Sequence, residues 1–258
     1  MSYTSPQSLA GKVIIVTGAS RGVGRGIARA LSKNGAHLAL TDVVGEALDS
    51  AADEMRSFGA EVVSVQADLT HSEAPQAIVD VTIDHFGRLD GLVNNAIWIN
   101  SPTPFIDQTD ETFTRISDTG PRATFALMKA AHPHLVAAGG GSIVNLGSGA
   151  GAAGEEGFAA YGAAKESIRG LTKVAALEWG ADRIRVNVVL PFANSEGALA
   201  WEKYDPDAFA RAMAANPMRR IGDTEKDVGA VVSFLLGDDS TYLTAQSIHI
   251  SGGAGTFR

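Results

Sequence analysis

The stretch that decides the fold is Thr17-Gly-Ala-Ser-Arg-Gly-Val-Gly24. It lies between a predicted strand, Lys12–Thr17, and a segment with helical spacing, Gly24–Asn34. Glycines let a backbone turn tightly and approach a diphosphate closely, and the N-terminus of the following helix offers free N–H groups. Glycine-rich turns also occur in ordinary loops, but a strand before and a helix after favour a phosphate-binding turn. The candidate binding residues in it are Gly18, Ser20, Arg21, Gly22, Val23 and Gly24.

Six more strand candidates follow, separated by segments with helical spacing. The first strand contains the apolar run Val13–Val16, which is typical of a parallel strand covered on both faces. Alternation of strands and helices at this spacing predicts an α/β fold with a doubly wound, parallel, seven-stranded sheet. No repeat or low-complexity linker divides the chain, so residues 1–258 are predicted to form a single domain. The further strand candidates are His37–Asp42, Glu61–Gln66, Leu89–Asn94, Ser142–Leu146, Arg185–Leu190 and Gln246–Ile250.

Composition excludes several classes of protein. Of the 258 residues, 45% are hydrophobic, so a large core is expected rather than global disorder. A formal charge of −8 argues against a nucleic-acid partner. The absence of cysteine excludes thiolate nucleophiles, Fe–S clusters and cysteine-ligated zinc. No run approaches the roughly 20 apolar residues of a membrane span, so we expect a cytoplasmic protein without a membrane partner.

Histidines give no sign of a metal site. The only close pair is in His132-Pro133-His134, which ends a helical stretch and is expected to lack nearby carboxylates. We interpret this pair as structural and predict no catalytic metal.

An acidic residue ends the second predicted strand. Asp42 lies 18 residues after Gly24, where a carboxylate can accept hydrogen bonds from both adenosine ribose hydroxyls and repel a 2′-phosphate. This favours NAD over NADP. Two observations oppose that interpretation: Asp42 could instead cap the next turn, and the guanidinium of Arg21 could pair with a 2′-phosphate.

A second acidic residue, Asp68, ends the third predicted strand in Ala67-Asp68-Leu69. It could meet the adenine amino group, with Leu69 beside it. It could equally cap a helix beginning near Ser72. Spacing alone does not separate these alternatives.

Tyr161 and Lys165 are spaced so that both lie on one face of a predicted helix that runs to about Trp179. A free tyrosine has a pKa near ~10, and a nearby ammonium lowers it toward working pH, which suits a general acid and base. Ser148 follows the strand Ser142–Leu146 and precedes Tyr161 by 13 residues. Its hydroxyl could hydrogen-bond a substrate oxygen, although a serine between glycines is also typical of a plain turn.

Together these features resemble the short-chain dehydrogenase/reductase family from Lys12 to Gly253. The resemblance rests on Thr17–Gly24, Asn94-Asn95-Ala96, Ser148, Tyr161-x-x-x-Lys165 and Ser251-Gly252-Gly253. It implies a Rossmann fold, a nicotinamide cofactor and hydride transfer. It also implies that Tyr161 is the acid and base, Lys165 lowers its pKa and binds ribose, and Ser148 polarises the oxygen. Asn95, Ala96 and the segment Pro191 to Asn194 would lie along the cofactor. The family is usually tetrameric or dimeric, which implies a homo-oligomer.

The chain departs from the family pattern near the expected site. The family usually has glycine where this chain has Ile97 and Phe192, and aspartate where it has Ser251. The active-site asparagine of the family falls on Gly120, followed by Pro121. In the family, that asparagine helps hold a water linking the lysine to solvent, so the proton relay here must differ, or a water or a neighbour such as Thr119 must substitute.

A substrate pocket is expected near the least regular segment, Phe192–Pro217, which we interpret as a helical flap. Trp98, Phe192 and Trp201 are the substrate candidates, joined by Tyr204 and Phe209; these aromatic side chains would suit an apolar ring-containing alcohol or ketone. Some of them could instead pack in the core or a subunit interface. Glu155 and Glu156 could contact a polar or cationic substrate group, or form a solvated turn.

These inferences point to an NAD-dependent oxidoreductase of secondary alcohols or ketones. Gly120 and Phe192 motivate one alternative, a binding or regulatory protein that keeps the fold without turnover. Another is a lyase or isomerase that uses the same tyrosine with bound NAD.

Overall fold

The computed structural model describes residues 8–255, in which all seven predicted strands pair in one sheet. Every neighbouring pair is parallel, in the order β3-β2-β1-β4-β5-β6-β7. The predicted doubly wound parallel sheet is therefore confirmed, and every strand end lies within two residues of its predicted position. The strands are β1 (Val13–Thr17), β2 (His37–Asp42), β3 (Val62–Gln66), β4 (Gly91–Asn94), β5 (Gly141–Leu146), β6 (Ile184–Pro191) and β7 (Ser247–Ile250).

Apolar runs drive the central strands into the core. All five residues of β1 are buried, and alternate side chains contact opposite faces, since Val16 packs in one apolar cluster and Ile15 in the other. Helices cover both clusters, so the sheet has no solvated face at its centre. The helices are α1 (Gly22–Lys33), α2 (Gly45–Ser57), α3 (Ala74–Phe86), α4 (Asp110–Ser117), α5 (Ala123–Ala137), α6 (Gly149–Ala153), α7 (Ala159–Glu178), α8 (Glu196–Tyr204), α9 (Pro206–Ala215) and α10 (Ala230–Leu236).

The strand order has a switch point between β1 and β4. Strands β2 and β3 lie on one side of β1, whereas β4 to β7 lie on the other. In open α/β sheets, such a switch point leaves a crevice at the carboxyl ends of the strands. In the register, Val16 pairs with Val93, and Asn94 pairs with Asn145, so the ends of three strands meet at this edge.

Helix α1 begins two residues earlier than predicted, at Gly22 instead of Gly24. Arg21 is its N-cap and has an extended backbone. Gly22 and Gly24 therefore already belong to the first turn of α1, so the N-terminus of the helix lies directly at the glycine-rich turn.

A π-helical turn, Asp118–Arg122, joins α4 to α5. Pro121 lies inside it and has no N–H to donate, which breaks the regular helical ladder. The N–H of Ala123 donates to Asp118 O, a bond that spans five residues. This turn brings buried Gly120 toward α7.

Two short helices, α8 and α9, form within the predicted flap. A parallel bridge between Ala193 and Gly222 anchors the entry to this segment, and the N–H of Asn194 donates to Gly222 O at 2.8 Å. Its position over a substrate pocket stays a prediction. In the part of the chain from residue 8 to 255, no helix is long and apolar enough to cross a bilayer.

Candidate active site

The glycine-rich turn is held in shape by the side chain of Asn95. Its Nδ2 donates to Thr17 O at 2.9 Å and to Gly18 O at 3.1 Å. Gly18 has φ +63°, which glycine adopts without the strain of a Cβ. A Cβ built on Gly24 would overlap Gly18 O and lie 2.6 Å from Asn95 Nδ2. The turn therefore requires glycine where the backbone and α1 meet.

The N-terminus of α1 opens toward this turn. The side chain of Arg21 does not cap it, and Val23 packs on the core below. A bare helix N-terminus beside a glycine cradle suits the negative charge of a diphosphate. The observed cradle fits a dinucleotide at the predicted position.

Thr17 links the turn to the end of β4. Its Oγ1 accepts hydrogen bonds from the backbone N–H groups of Asn95 and Ala96, both at 3.0 Å. Thr17 is thus a functional residue beyond those expected from the sequence. The signal that could have found it is a buried hydroxyl at the last position of an otherwise apolar strand.

Asp42 is partly buried and faces the same turn. Its Oδ2 accepts from Ser20 Oγ at 2.7 Å and from Ser20 N–H at 3.1 Å, and Oδ1 accepts from Val44 N–H at 3.2 Å. The carboxylate thus caps the local turn, as one alternative expected. The same bonds hold the carboxylate at the crevice, which is where it must lie to accept hydrogen bonds from the adenosine ribose.

Asp68 tightens its own turn. Its Oδ1 accepts from the N–H and the hydroxyl of Thr70 at 2.9 and 2.8 Å, and these bonds hold the pKa of the carboxyl below its usual value. The helix expected near Ser72 begins two residues later, at Ala74, and its N-cap is Glu73, so Asp68 does not cap it. Leu69, next to it, packs on the core.

An open cleft lies on the outer side of the glycine-rich turn. Arg21, Arg25, Asn194 and Thr224 are among its lining residues. Arg25 is held by Glu54, with Nε 2.7 Å from the carboxylate. Arg21 is exposed and lines this cleft, and its expected pairing with a 2′-phosphate stays a prediction.

Lys165 is buried beneath Tyr161. The lysine is 3% exposed, and its Nζ lies 5.6 Å from the centre of the Tyr161 ring and donates to Leu146 O at 2.7 Å. Loss of solvent lowers the pKa of Lys165 to about 7. The helical spacing of the pair therefore does bring the two side chains together.

The hydroxyl of Ser148 belongs to the same cluster. Ser148 is the N-cap of α6, where its Oγ accepts from Ala150 N–H at 3.2 Å. Burial raises the pKa of Tyr161, while a hydrogen bond with the Ser148 side chain lowers it and the charge of Glu155 raises it. The expected lowering of the Tyr161 pKa by Lys165 is not met, since the net pKa shift is upward and Lys165 is not among the groups that cause it.

A buried polar chain fixes α7 to the sheet. Asn94 Nδ2 donates to Asn145 Oδ1 at 2.8 Å, and Asn145 Nδ2 donates to Thr172 Oγ1 at 2.9 Å. All three side chains are buried, where such bonds are strong and their loss is costly. These hydrogen bonds fix the position of α7, and hence of Tyr161, relative to the carboxyl ends of the strands. Only Asn94 had been singled out from the sequence.

The comparisons with known proteins agree with this architecture. Residues 18–255 match a family model described as enoyl-(acyl carrier protein) reductase. A 12alpha-hydroxysteroid dehydrogenase from Clostridium sp. is 38% identical over 252 residues, 95% of this chain and 97% of that protein. The chain belongs to the short-chain dehydrogenase/reductase family. A cyclohexanol dehydrogenase from Acinetobacter sp. is 32% identical over 93% of this chain and 94% of its own. An NAD⁺-bound xylitol dehydrogenase structure has a TM-score of 0.89 and 34% identity, covering 95% and 99% of the two chains.

As a member of the short-chain dehydrogenase/reductase family, the protein is an oxidoreductase of a family that binds nicotinamide cofactors. Its departures from the family pattern are structurally accommodated. The backbone of Phe192 is bound on both sides: its N–H donates to Ile250 O at 2.9 Å, and its carbonyl accepts from Gly222 N–H at 3.1 Å. Ser251 Oγ accepts from Gly255 N–H at 3.1 Å.

The hydroxyl of Thr119 has two partners in the structure. Its Oγ1 accepts from Trp98 N–H at 3.0 Å and donates to Arg115 O at 2.8 Å. The first bond ties the π-helical turn to the loop after β4, and the second lies within the helical segment itself. The suggested substitution of Thr119 for the asparagine of the family stays a prediction.

The aromatic pocket candidates separate into two places. Trp98 lies under the Arg115 guanidinium, 4.5 Å from the ring centre, and packs beside Tyr161. Trp201 makes an edge contact with Phe209 within the flap, at 5.3 Å between ring centres. Tyr204 is 90% exposed, which does not support its expected place in a pocket.

Three further observations concern titratable groups. Within residues 8–255, no three histidine or acidic side chains come together in a way that could hold a metal ion. The statement that the histidine pair has no nearby carboxylate is wrong for His132, whose Nε2 lies 3.3 Å from Asp182 Oδ2. Burial raises the pKa of Glu155, which belongs to a small cleft with Phe158. The structure thus places Glu155 close enough to influence Tyr161.

The turn geometry predicts the effect of Gly24→Ala. Its Cβ would press on the backbone of Gly18, so the turn must shift, and we expect NAD(H) binding to weaken by at least about tenfold, or about 1.4 kcal/mol. Isothermal titration calorimetry measures this. Gly180→Ala is the matched control, since its Cβ meets nothing within 4 Å. Equal affinities of the two variants would contradict the assignment of the turn.

Proposed function

We propose that the protein is an NAD-dependent oxidoreductase that interconverts secondary alcohols and ketones, with cyclic or aromatic apolar compounds as its substrates. One observation carries the proposal. Half-buried Tyr161, buried Lys165 and Ser148 form a cluster at the same sheet edge as a glycine cradle shaped for a diphosphate. An acid–base group and a dinucleotide site side by side are what hydride transfer to a carbonyl requires.

The chain's own groups would handle the substrate oxygen and its proton. Ser148 is placed to donate to that oxygen, and the Tyr161 hydroxyl to give its proton to the ketone or take it from the alcohol. A nicotinamide bound beside them would supply or accept the hydride. Burial raises the pKa of Tyr161, which favours the protonated form that donates to a ketone in the reductive direction. Oxidation needs a further positive charge nearby to lower its pKa.

Dinucleotide binding would use the residues at the ends of β1 to β6. Gly18, Ser20, Arg21, Gly22, Val23 and Gly24 would form the diphosphate site, and Asp42 would accept from the ribose hydroxyls. The charge of Asp42, held by Ser20 at the crevice, supports NAD as the preferred form. The remaining proposed contacts are Asp68 and Leu69 at the adenine, Asn95, Ala96, Tyr161 and Lys165 along the ribose and nicotinamide, and Pro191 and Asn194 near the carboxamide.

Substrate would bind between the loop after β4 and the flap. Trp98, Phe192 and Trp201 are the proposed contacts. Two relatives are named for cyclic alcohols, a 12alpha-hydroxysteroid and cyclohexanol, which supports an apolar ring as the substrate class. Assembly as a homodimer or homotetramer is also proposed, in view of exposed apolar side chains such as Ile106, at 89%, and Leu177, at 80%.

Tyr161→Phe tests the proposal directly. It removes the proton donor but keeps the ring, so we expect turnover of cyclic and aromatic alcohols to fall at least about 100-fold. Reduced cofactor is followed by its absorbance, and NAD(H) binding by titration serves as the control for folding. A Tyr161→Phe variant with undiminished turnover would remove Tyr161 from the reaction. Wild-type protein that converts substrate without net absorbance change would favour a lyase or isomerase.

Asp42→Ala tests the cofactor assignment. Without the carboxylate, a 2′-phosphate is no longer repelled, so the ratio of kcat/KM for NAD over NADP should fall by at least about tenfold. Ser20→Ala is the matched control, because it removes the 2.7 Å bond to Asp42 but keeps the charge. If both variants change the ratio equally, turn geometry and not charge selects the cofactor.

A further inference from the structure

Tyr161 lies in the first turn of its helix, where a helix is held least firmly. Because α7 begins at Ala159, Tyr161 is its third residue. The first N–H groups of a helix have no partner within it, and helix ends fray. Phe158, the N-cap residue of α7, gives this end no side-chain hydrogen bond. The position of Tyr161 therefore depends on contacts from outside the first turn.

The side chain of Gln108 supplies such a contact. Its Oε1 accepts a hydrogen bond from the N–H of Ala160 at 3.1 Å, across 52 residues of sequence. Ala160 is buried and directly precedes Tyr161. Gln108 lies shortly before α4, so this bond anchors the first turn of α7 to a separate element of the fold.

The amide nitrogen of Gln108 is also bound. Its Nε2 donates to Thr103 O and to Gly157 O, both at 3.1 Å. A primary amide has an acceptor oxygen and two N–H groups to donate, and here one N–H and two carbonyls face it. A carboxylate could not donate to the carbonyls, and a hydroxyl could not donate to both of them. The three partners together therefore match a glutamine.

These bonds join two loops at Gly157. Gly157 lies between α6 and α7, and its carbonyl also accepts from the N–H of Thr103 at 3.0 Å. The loops touch directly, since a Cβ built on Gly157 would lie 3.0 Å from the Cβ of Pro102. Gln108 thus holds the segment before α7 against the loop after β4.

Both of these loops contact Tyr161. Trp98, on the loop after β4, packs in the same apolar cluster as Tyr161. The ring of Phe158 makes an edge contact with the Tyr161 ring, with 6.1 Å between ring centres. The hydroxyl of Tyr161 is hydrogen-bonded with the side chain of Ser148, which begins α6. Tyr161 is therefore enclosed by groups whose relative position Gln108 helps to set.

We propose that Gln108 is a positioning residue for Tyr161, which fixes the first turn of α7 and so keeps the tyrosine hydroxyl within reach of Ser148. The proposal rests on the proposed function, in which Tyr161 is the acid–base group. Lys165 and Thr172 bind α7 to the sheet on the far side of Tyr161, through Leu146 O and Asn145. Gln108 binds it on the near side.

The direct test follows two atoms by NMR in Gln108→Met, which keeps a side chain of similar length and removes all three hydrogen bonds. The amide hydrogen of Ala160 should exchange at least about tenfold faster than in wild type. Tyrosine labelled with ¹³C at Cζ reports the hydroxyl, and the Tyr161 signal is assigned by its loss in Tyr161→Phe. Ser148→Ala shows where this signal lies without the serine bond, and in Gln108→Met it should move in that direction.

Activity gives a separate readout. A displacement of about 1 Å at a reacting group costs up to about 100-fold in rate, so kcat of Gln108→Met should fall by about 10- to 100-fold. The dinucleotide cradle does not contain Gln108, so the Kd of NAD(H) should stay within about twofold of wild type. A loss in kcat without a loss of cofactor affinity is the pattern expected of a positioning residue.

Thr109→Ala is the matched control. Thr109 is the neighbour of Gln108 and the N-cap of α4, where its Oγ1 accepts from Thr112 N–H at 3.2 Å. Its loss should lower the Tm but leave the three bonds of Gln108 intact, so the Ala160 exchange, the Tyr161 signal and kcat should stay as in wild type. If Gln108→Met does not fold, Gln108→Ala removes the same bonds with a smaller side chain.

Three results would overturn the proposal. One is a folded Gln108 variant in which Ala160 exchanges as in wild type. Another is a variant whose Tyr161 signal and kcat are both unchanged. The third is a Thr109→Ala variant that loses as much kcat as Gln108→Met, since general loss of stability would then explain both. If the NMR signals behave as expected but neither wild type nor any variant oxidises an alcohol, the proposed function fails while the positioning of Tyr161 stands.

Discussion

The rest of the structure depends on the parallel register of β1, β4 and β5. Because these strands run together, the polar residues at their carboxyl ends meet at one edge, where chain connectivity also opens a crevice. Thr17 Oγ1 joins the ends of β1 and β4 by accepting two backbone N–H groups, and Asn95 Nδ2 holds the glycine-rich turn in return. The cradle and the cluster around Tyr161 are therefore parts of one rigid edge.

The acid–base cluster combines firm support with low hydration. The buried hydrogen bonds from Asn94 through Asn145 to Thr172 fix α7, and Lys165 on that helix is itself buried. Burial outweighs the hydrogen bond from Ser148 and raises the pKa of the Tyr161 hydroxyl above its ordinary value. This favours the protonated form, which is the form that the proposed reduction of a ketone needs. The reverse reaction needs the phenolate, which a positive charge nearby would stabilise.

Much of the fold could be predicted from the sequence, because the seven strands and their parallel, doubly wound arrangement follow from apolar runs, helical spacing and the alternation of strands and helices. The Tyr161–Lys165 pair was also predictable, since helical spacing is local. Partners distant in sequence were not: nothing local to Ile97 indicates that it meets Gly120, or that His132 meets Asp182. The upward pKa shift of Tyr161 was missed for a related reason, because burial depends on the whole fold. Tyr204 was misjudged since an aromatic residue in a flap can face either solvent or substrate.

The most direct measurement of the central claim follows one atom. The protein is incubated with NAD⁺ and cyclohexanol carrying deuterium at the carbinol carbon, and the recovered cofactor is analysed by mass spectrometry and NMR. The account predicts reduced cofactor with deuterium at C4 of the nicotinamide ring, in an amount equal to the ketone formed. Ketone formed without deuterium in the cofactor would contradict it, as would a cofactor that binds at the cradle and stays oxidised with this and every other cyclic or aromatic alcohol.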